Sequence, residues 1–392
     1  MIYVGIDVAK SKHDCCILGP GGELLRNSFT FSNSRKGFEE LWLAIQTAVG
    51  SHENLPIKAG LEATGHYSEN LVAFLRSSGI EPVVFNPLRV KLFRQALSLR
   101  KTKTDKVDAR CIASLLMSDD SSPVSQSYQI QELKSLTRYR SRLVSERSRA
   151  KIHLSRLIDV LFPELPSACW SISQKSILVL LKVFPGAGRI ARCRIDRLTR
   201  LLNENSNGKY KKDKAEVIQE LARHSVGRDS EALGFELIQV IETIQFFEQR
   251  ITVLDKKLKS IVTEISTPLL SIPGINFRLA AVILAEIGEI TRFSSPDKLL
   301  AFAGLDPSTY QSGKFTAEKT PMVKHGSTYL RWALMQAARL VARRCEDFHR
   351  YMEKKLAQGK HYFVSLGHVT KKLVRVIFHI LTANEPYVSQ VA

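Results

Sequence analysis

Residues 233–265 place Leu233, Leu237, Val240, Ile244, Phe247, Ile251, Leu254, Leu258, Ile261 and Ile265 at alternating spacings of four and three, without a break. An apolar heptad repeat of that length commits the stretch to one long helix whose seam needs a partner. A second stretch keeps the same register: Leu133, Leu136, Arg140, Leu143, Arg147, Ala150, Leu154, Leu157 and Leu161. Together they predict a coiled-coil helical hairpin over 126–266, its seams packed on each other, on a second subunit, or both. Two seam positions are arginines, which asks for something negative nearby. From Lys134 to Arg156 eight Lys or Arg face one acid, Glu146. A solvated basic helix and a nucleic-acid surface both account for this, and Arg138, Arg140 and Arg147 are the candidates for the second. Between the seams, 166–232 reads as an insertion of small helices and flexible loops, with a helix at 171–183 and a polar NENSNGKYKKDK run.

The chain has 392 residues, enough for two or three domains with proper cores. Lys and Arg outnumber Asp and Glu by 57 to 38, a net charge of +19. An excess that large favours a polyanionic partner, nucleic acid or an anionic membrane surface. The opening MIYVGIDVAK lacks the layout of a signal peptide, and the apolar runs at 176–184 and 279–288 are too short or interrupted to span a bilayer. Six cysteines show no CxxC pair and no zinc-ligand spacing. They read as reduced thiols, which points to nucleic acid, no membrane, and a cytoplasmic setting.

The first 125 residues form a separate pattern. IYVGIDV (2–8), HDCCIL (13–18) and LLRNSFTF (24–31) read as a meander of three strands. A helix at 34–49 follows, capped by Asn33 or Ser34. Then come a strand at 57–63, a helix at 67–78, a strand at 82–86, a helix at 88–98, and a last helix from Asp105. The order predicts a compact α/β domain with a mixed sheet.

Its acids are unusual. Asp7 and Glu62 each lie near the end of an otherwise apolar strand, where an unpartnered carboxylate is costly. Asp105 and Asp108, in KTDKVDAR, stand three apart and share one helix face. A helix start with Thr104 as cap explains that pair by itself. The four acids together suit one or two Mg²⁺ (or Mn²⁺) ions poised over a phosphodiester. A basic run that includes Arg89, Lys91, Arg94, Arg100, Lys101, Lys103, Lys106 and Arg110 would track the nucleic-acid backbone.

In the C-terminal third, LLSIPGINFRLAAVILAEIG (269–288) resembles a helix-hairpin-helix element, although Asn276 stands where a second glycine is common. A simple helix turn explains it equally well. AFAGLDPSTYQSGKFTAEKTPMVKHGSTYLRWAL (301–334) places a loop with Ser308, Thr309 and Ser312 among Lys314, Lys319, Lys324, His325 and Arg331. Most loop serines cap or turn. A serine among cations is also suited to attack a phosphodiester.

GIDVAK, LEATGHY and KTDKVDAR, followed by GLDPSTYQSGKF and KHGSTYLRWAL, resemble the DEDD-type insertion-sequence transposases of the IS-one-ten family, which includes the pilin-gene invertases. The resemblance implies a RuvC-like domain of ribonuclease-H fold over 1–125. It also implies a mainly helical transposase domain over 267–392, joined to the first by the coiled coil. It casts Asp7, Glu62, Asp105 and Asp108 as the metal-binding quartet and Ser312 as a nucleophile that forms a phosphoserine link to DNA. Lys314, Lys324 and Arg331 join Arg100, Lys101 and Lys103 as nucleic-acid contacts. It further implies donor and target DNA, a structured non-coding guide RNA, and a homodimer that assembles to a tetramer on DNA. The setting would be the nucleoid of a bacterial or archaeal cell. GIDVAKSK also resembles the phosphate loop of actin-like ATPases, a reading that leaves KTDKVDAR and the charge unexplained. Two other functions remain open: a junction nuclease that uses only the quartet with water as nucleophile, and a non-catalytic nucleic-acid scaffold.

Overall fold

The computed structural model describes residues 1–50, 55–63, 65–85, 87–97, 105–118, 128–307, 311–312, 315–316 and 322–389. Within these, the side chains of 88, 105, 106, 128, 129, 311, 312, 315 and 316 are not described. The chain divides into two compact units, Met1–Gln126 and Ser127–Ala392.

The first unit is built on strands β1 (Ile2–Val8), β2 (Lys12–Leu18), β3 (Leu24–Ser32), β4 (Ile57–Glu62) and β5 (Val83–Phe85), in the order β3-β2-β1-β4-β5. β1–β2 and β2–β3 pair antiparallel, as the meander requires, whereas β1–β4 and β4–β5 are parallel. Helix α1 (Arg35–Gly50) connects β3 to β4, and α2 (Glu69–Ser77) connects β4 to β5. Ser34 is the cap of α1, its Oγ accepting from the Gly37 N–H at 3.2 Å. The strand period of two sends Ile2, Val4, Ile6, Cys15, Ile17, Ala59 and Leu61 to one face, where they bury Leu41, Ile45, Leu71 and Leu75 of α1 and α2. The opposite face receives α3 (Pro87–Leu97) and α4 (Asp105–Met117), through Val90, Ala109, Ile112, Ala113 and Leu116. This mixed five-stranded α/β sheet is consistent with a ribonuclease-H-like plan.

Local chemistry trims the sequence reading at several ends. The helix expected at 67–78 begins as a 3-10 turn at Gly65–Ser68 before α2 starts at Glu69. The strand expected at 82–86 keeps only Val83–Phe85, since Pro82 has no N–H to donate and Pro87 opens α3 with a preset φ.

The second unit is helical. α5 (Tyr128–Leu161) and α10 (Glu231–Ile265) are the two long helices expected, and they pack antiparallel. Leu133 and Leu143 share a core with Ile251, Leu254, Leu258 and Val262, while Leu154, Leu157 and Leu161 share one with Leu237, Val240, Ile241 and Ile244. Between them α6 (Lys175–Val183), α7 (Ala187–Ala191), α8 (Ile195–Asn205) and α9 (Lys212–Arg223) close over the second of those cores. The insertion is thus a set of small helices, and the one expected at 171–183 starts at Lys175, four residues later. The first core continues into α11 (Phe277–Ile287), α12 (Pro296–Phe302), α13 (Thr328–Arg344), α14 (Glu346–Ala357) and α15 (Tyr362–Ala383). Before the Pro273–Gly274 turn stands only a 3-10 turn, Pro268–Ser271. Gly274 has φ 107°, and a side chain there would come within 2.9 Å of the α13 backbone. Asn276 caps α11, its Oδ1 accepting from Leu279 N–H at 3.1 Å. Two short strands, β6 (Gln311–Ser312) and β7 (Phe315–Thr316), pair antiparallel. Among the described residues no helix is long and apolar enough to cross a membrane.

Candidate functional site: a row of acids under one helix

The face of the sheet under α4 is set by two glycines. A side chain at Gly5 would lie 2.3 Å from Ala109 O and Ala113 N, and one at Gly60 would lie 2.7 Å from the Leu116 side chain. Their absence lets the helix backbone settle on β1 and β4. Lys58 reaches the same helix, its Nζ donating to Leu116 O at 3.4 Å. Leu116 therefore lies toward the start of β4, and the first turn of α4, with Asp105 and Asp108, lies toward the strands' C-terminal ends. Ligands gather at such ends in open α/β sheets.

Asp7 is two residues beyond Gly5, and Glu62 two beyond Gly60, so both share the α4 face. They sit one position past the Ile6–Leu61 pair of the parallel ladder, side by side. On the other side of Asp7 the register places Asp14 directly opposite, and Thr30 opposite Asp14. One row across the sheet thus reads Thr30, Asp14, Asp7, Glu62, Phe85. Asp14 is 5% exposed and accepts a 2.6 Å hydrogen bond from Thr30 Oγ1.

Asp108 is buried and paired: Arg94 Nη1 of α3 donates to its Oδ1 at 2.6 Å. That hydrogen bond raises the guanidinium pKa, with further support from the charges of Asp108, Cys111 and Glu62 against its own desolvation. Burial, then the charge of Asp108, lifts Cys111 to about 11. The thiol is therefore neutral at ordinary pH, and the groups available to a cation are carboxylate oxygens. Hard oxygen donors are the ligand class that divalent cations such as Mg²⁺ prefer. Among the described residues no three His, Cys, Asp or Glu side chains are close enough to hold a metal together. The Asp105 side chain, the fourth member of the quartet, lies outside the described residues.

Asp7 and Glu62 stand out in the sequence because each interrupts an apolar strand, and Asp108 because it stands three residues from Asp105 in a basic stretch. Sequence reasoning passed over Asp14, whose place in the row follows from strand register, and it read Arg94 only as part of a basic run.

The second unit holds the other candidates. Ser312 pairs with Phe315 across the β6–β7 ladder, and Pro307 bridges to Met322. The base of this arm is zipped by Val323 N–H to Asp306 O (3.1 Å), Lys324 N–H to Gly304 O (3.2 Å) and Ser327 N–H to Phe302 O (3.1 Å). Arg331 clamps both legs, its Nη1 donating to Ala303 O at 3.2 Å and Lys324 O at 3.3 Å. Lys324 itself is exposed and has φ 59°. The Ser312 side chain, Lys314, Arg100, Lys101 and Lys103 lie outside the described residues.

The arginines of α5 find acids within the chain. Arg140 Nε donates to Asp255 Oδ1 at 2.6 Å, and Arg278 Nε to its Oδ2 at 2.9 Å. Arg147 Nη1 is 3.9 Å from Glu248 Oε1. Arg138 grips Glu286 through two bonds of 2.8 and 3.1 Å, while Ser327 Oγ donates to Glu286 Oε2 at 2.8 Å and also caps α13. The negative partner that the seam arginines ask for is thus supplied first by α10. Arg140 also lines a cleft of about 590 Å³ with Ser141, Arg278, Tyr329 and Trp332.

Two families of known sequences match. Residues 4–163 match one described as Transposase, and residues 266–353 match one described as Transposase IS116/IS110/IS902 family. The pilin gene-inverting protein of Moraxella bovis is 25% identical over 395 residues, covering 98% of this chain and 97% of its own. The corresponding protein of Moraxella lacunata is also 25% identical, with the same coverage. An insertion element IS116 protein of Streptomyces clavuligerus is 24% identical over 97% of this chain and 94% of its own. The two matched regions occur in one chain, the first holding the acidic row and the second the Ser312 arm, and end-to-end relatives accompany them: the chain belongs to the IS110/IS116/IS902 family of transposases.

Proposed function

We propose that this chain is a DNA transposase that cleaves and exchanges strands through a serine ester. The observation that carries the reading is the acidic row at the strand ends, closed over by the first turn of α4. Asp7, Glu62, Asp105 and Asp108 are the carboxylates that would hold a divalent cation. When bound, that cation polarises the scissile phosphate and stabilises the charge that builds during displacement. Arg94, donating to Oδ1 at 2.6 Å, keeps Asp108 oriented. Ser312 Oγ attacks phosphorus, the bond to the departing sugar oxygen breaks, and a phosphoserine ester takes its place. The ester retains the bond energy of the phosphodiester, so rejoining requires no nucleotide. Arg331 serves this chemistry by fixing the base of the Ser312 arm, and the exposed Lys324 is placed for a phosphate.

The same reading extends to partners. A guide RNA that pairs with donor and target DNA suits a protein whose contacts go mostly to backbones. A homodimer, forming a tetramer over two DNAs in the cytoplasm, completes it.

The test is a nicked or suicide DNA substrate with Mg²⁺, resolved on a denaturing gel. Wild type traps a covalent protein–DNA adduct, whereas Ser312→Ala traps none and Asp7→Ala does not cut. Intact cleavage by Ser312→Ala would instead favour the water-using nuclease. A wild-type protein that binds DNA but cuts none with Mg²⁺, its binding unchanged by Asp7→Ala, would favour the scaffold. Digestion of co-purifying RNA should abolish target choice while DNA binding persists.

A further inference from the structure

We infer that the cleft where α5, α11 and α13 meet takes one unpaired DNA nucleotide, its base stacked on Trp332 and its phosphate against Arg140 and Arg278. The choice of DNA rests on the reading of this chain as a strand-exchanging transposase, because exchange leaves bases unpaired at the cut.

Three helices make the walls. α11 packs against both α5 and α13, and residues of all three line a cleft of about 590 Å³. That volume lies in the range of small-ligand sites, about 300–1,000 Å³, and suits a single nucleotide where a duplex would not enter. Thr137, Ser141 and Ser145 recur every four residues, so α5 contributes one stripe of hydroxyls. Tyr329, Trp332 and Gln336, spaced by three and four, make a second stripe on α13. Leu258, Leu279 and Val282 add apolar lining.

The aromatic residues differ in what they offer. Tyr329 has one ring face covered by the Arg138 guanidinium, 5.1 Å from its centroid. Trp332 lines the cleft and is still 53% exposed, so its indole is the ring placed for stacking. A base has a flat π face and a polar edge. Stacking serves any base, and hydroxyls or an amide either donate or accept, so neither wall demands a sequence.

Charge decides between occupants. Arg140 Nε and Arg278 Nε donate to the two oxygens of Asp255, at 2.6 and 2.9 Å. Two cations share one carboxylate, which leaves one net positive charge, and among the described residues that line the cleft none is acidic. A single phosphate matches that charge. An apolar helix from a second copy of the chain would cover Trp332 but leave the charge and the hydroxyls unanswered.

The test uses the full-length chain without Mg²⁺, titrated into labelled duplexes at fixed salt and followed by anisotropy. One duplex is blunt, and the others carry a short tail of dT, of rU or of abasic sites. Wild type should bind the dT tail about 5-fold or more tighter than the blunt end, and the abasic tail should lose most of that gain. Trp332→Ala should lose the gain and bind the blunt duplex as wild type does, whereas Trp332→Phe, which keeps a ring, should retain most of it. Arg278→Gln should lower the salt slope of tail binding by about one. An abasic tail bound as tightly as dT overturns the inference, and that measurement needs no variant to fold. A full gain in Trp332→Ala also overturns it, and a simultaneous fall in oligomeric state by sedimentation would assign Trp332 to a second copy. An unchanged slope in Arg278→Gln overturns the phosphate assignment, and tighter binding of rU than dT overturns the choice of DNA. If wild type shows no tail gain yet traps the Ser312 adduct, only this inference falls. If it traps no adduct, the strand-exchange reading falls, and with it the reason for choosing DNA.

Discussion

At the scale of single residues, the acidic row and the Glu286 network show charge used in two ways. Glu286 is 2% exposed and surrounded by donors. Burial alone would raise its pKa, but the Arg138 and Ser327 hydrogen bonds, with the charges of Arg138 and Lys134, outweigh that and hold the carboxyl below its usual range. A carboxyl whose folded pKa is depressed stabilises the fold fully above the unfolded value, about pH 4.3, and loses that contribution as pH falls through the folded one. Glu286→Gln should therefore cost about 1–3 kcal/mol at neutral pH, because its charge-assisted hydrogen bonds to the half-exposed Arg138 become neutral ones. Urea melts at a series of acidic pH values should show a shallower loss for the variant than for wild type. Asp7 and Glu62 were legible in the sequence because an acid inside IYVGIDV or IKAGLEA has no apolar excuse. Asp14 was not, because in HDCCIL it follows His13 near the start of a strand, where polar residues are ordinary. Only the pairing of β1 with β2 turns it toward Asp7.

At the scale of elements, periodicity predicts the two long helices, with both seams ending where the helices end, at Leu161 and Ile265. A seam that repeats every seven residues specifies a helix and the face it buries, whichever partner it meets. It says nothing of direction, which the Arg140–Asp255 and Arg147–Glu248 pairs fix as antiparallel. The Ser312 arm shows the opposite case. Its strands are two residues long, too short for any pattern, and the base is held by Arg331 and by cross-leg backbone bonds. The family resemblance implies a DNA contact at Arg331. In the fold its guanidinium is engaged by two carbonyls, so Arg331→Ala should loosen the arm by about 1.5–3 kcal/mol. Hydrogen exchange is the check: the Val323, Lys324 and Ser327 amides should exchange about tenfold faster or more, while amides inside α13 hold their rates.

At the scale of the whole molecule, the net charge of +19 predicts binding that is mostly electrostatic. If six to ten phosphates are contacted, affinity for DNA should fall by roughly 10³–10⁵-fold between about 50 and 200 mM salt, measured by anisotropy with a labelled duplex. A flat salt response would mean that the charge is spent on internal pairs like those of α5. Read along the chain alone, the charge points to a polyanionic partner, the strand and helix periods give the α/β character of the first unit and the two long helices, and Asp7, Glu62, Asp105 and Asp108 stand out. Composition, strand and helix periods, and the cost of a lone carboxylate are local properties that survive without coordinates. Tertiary structure alone decided which acids stand in one row, that Arg94 sits on Asp108, and that the arginines of α5 face Asp255, Glu248 and Glu286. Those facts depend on register and on helices distant in sequence meeting, and no stretch of chain carries that information about its own neighbours.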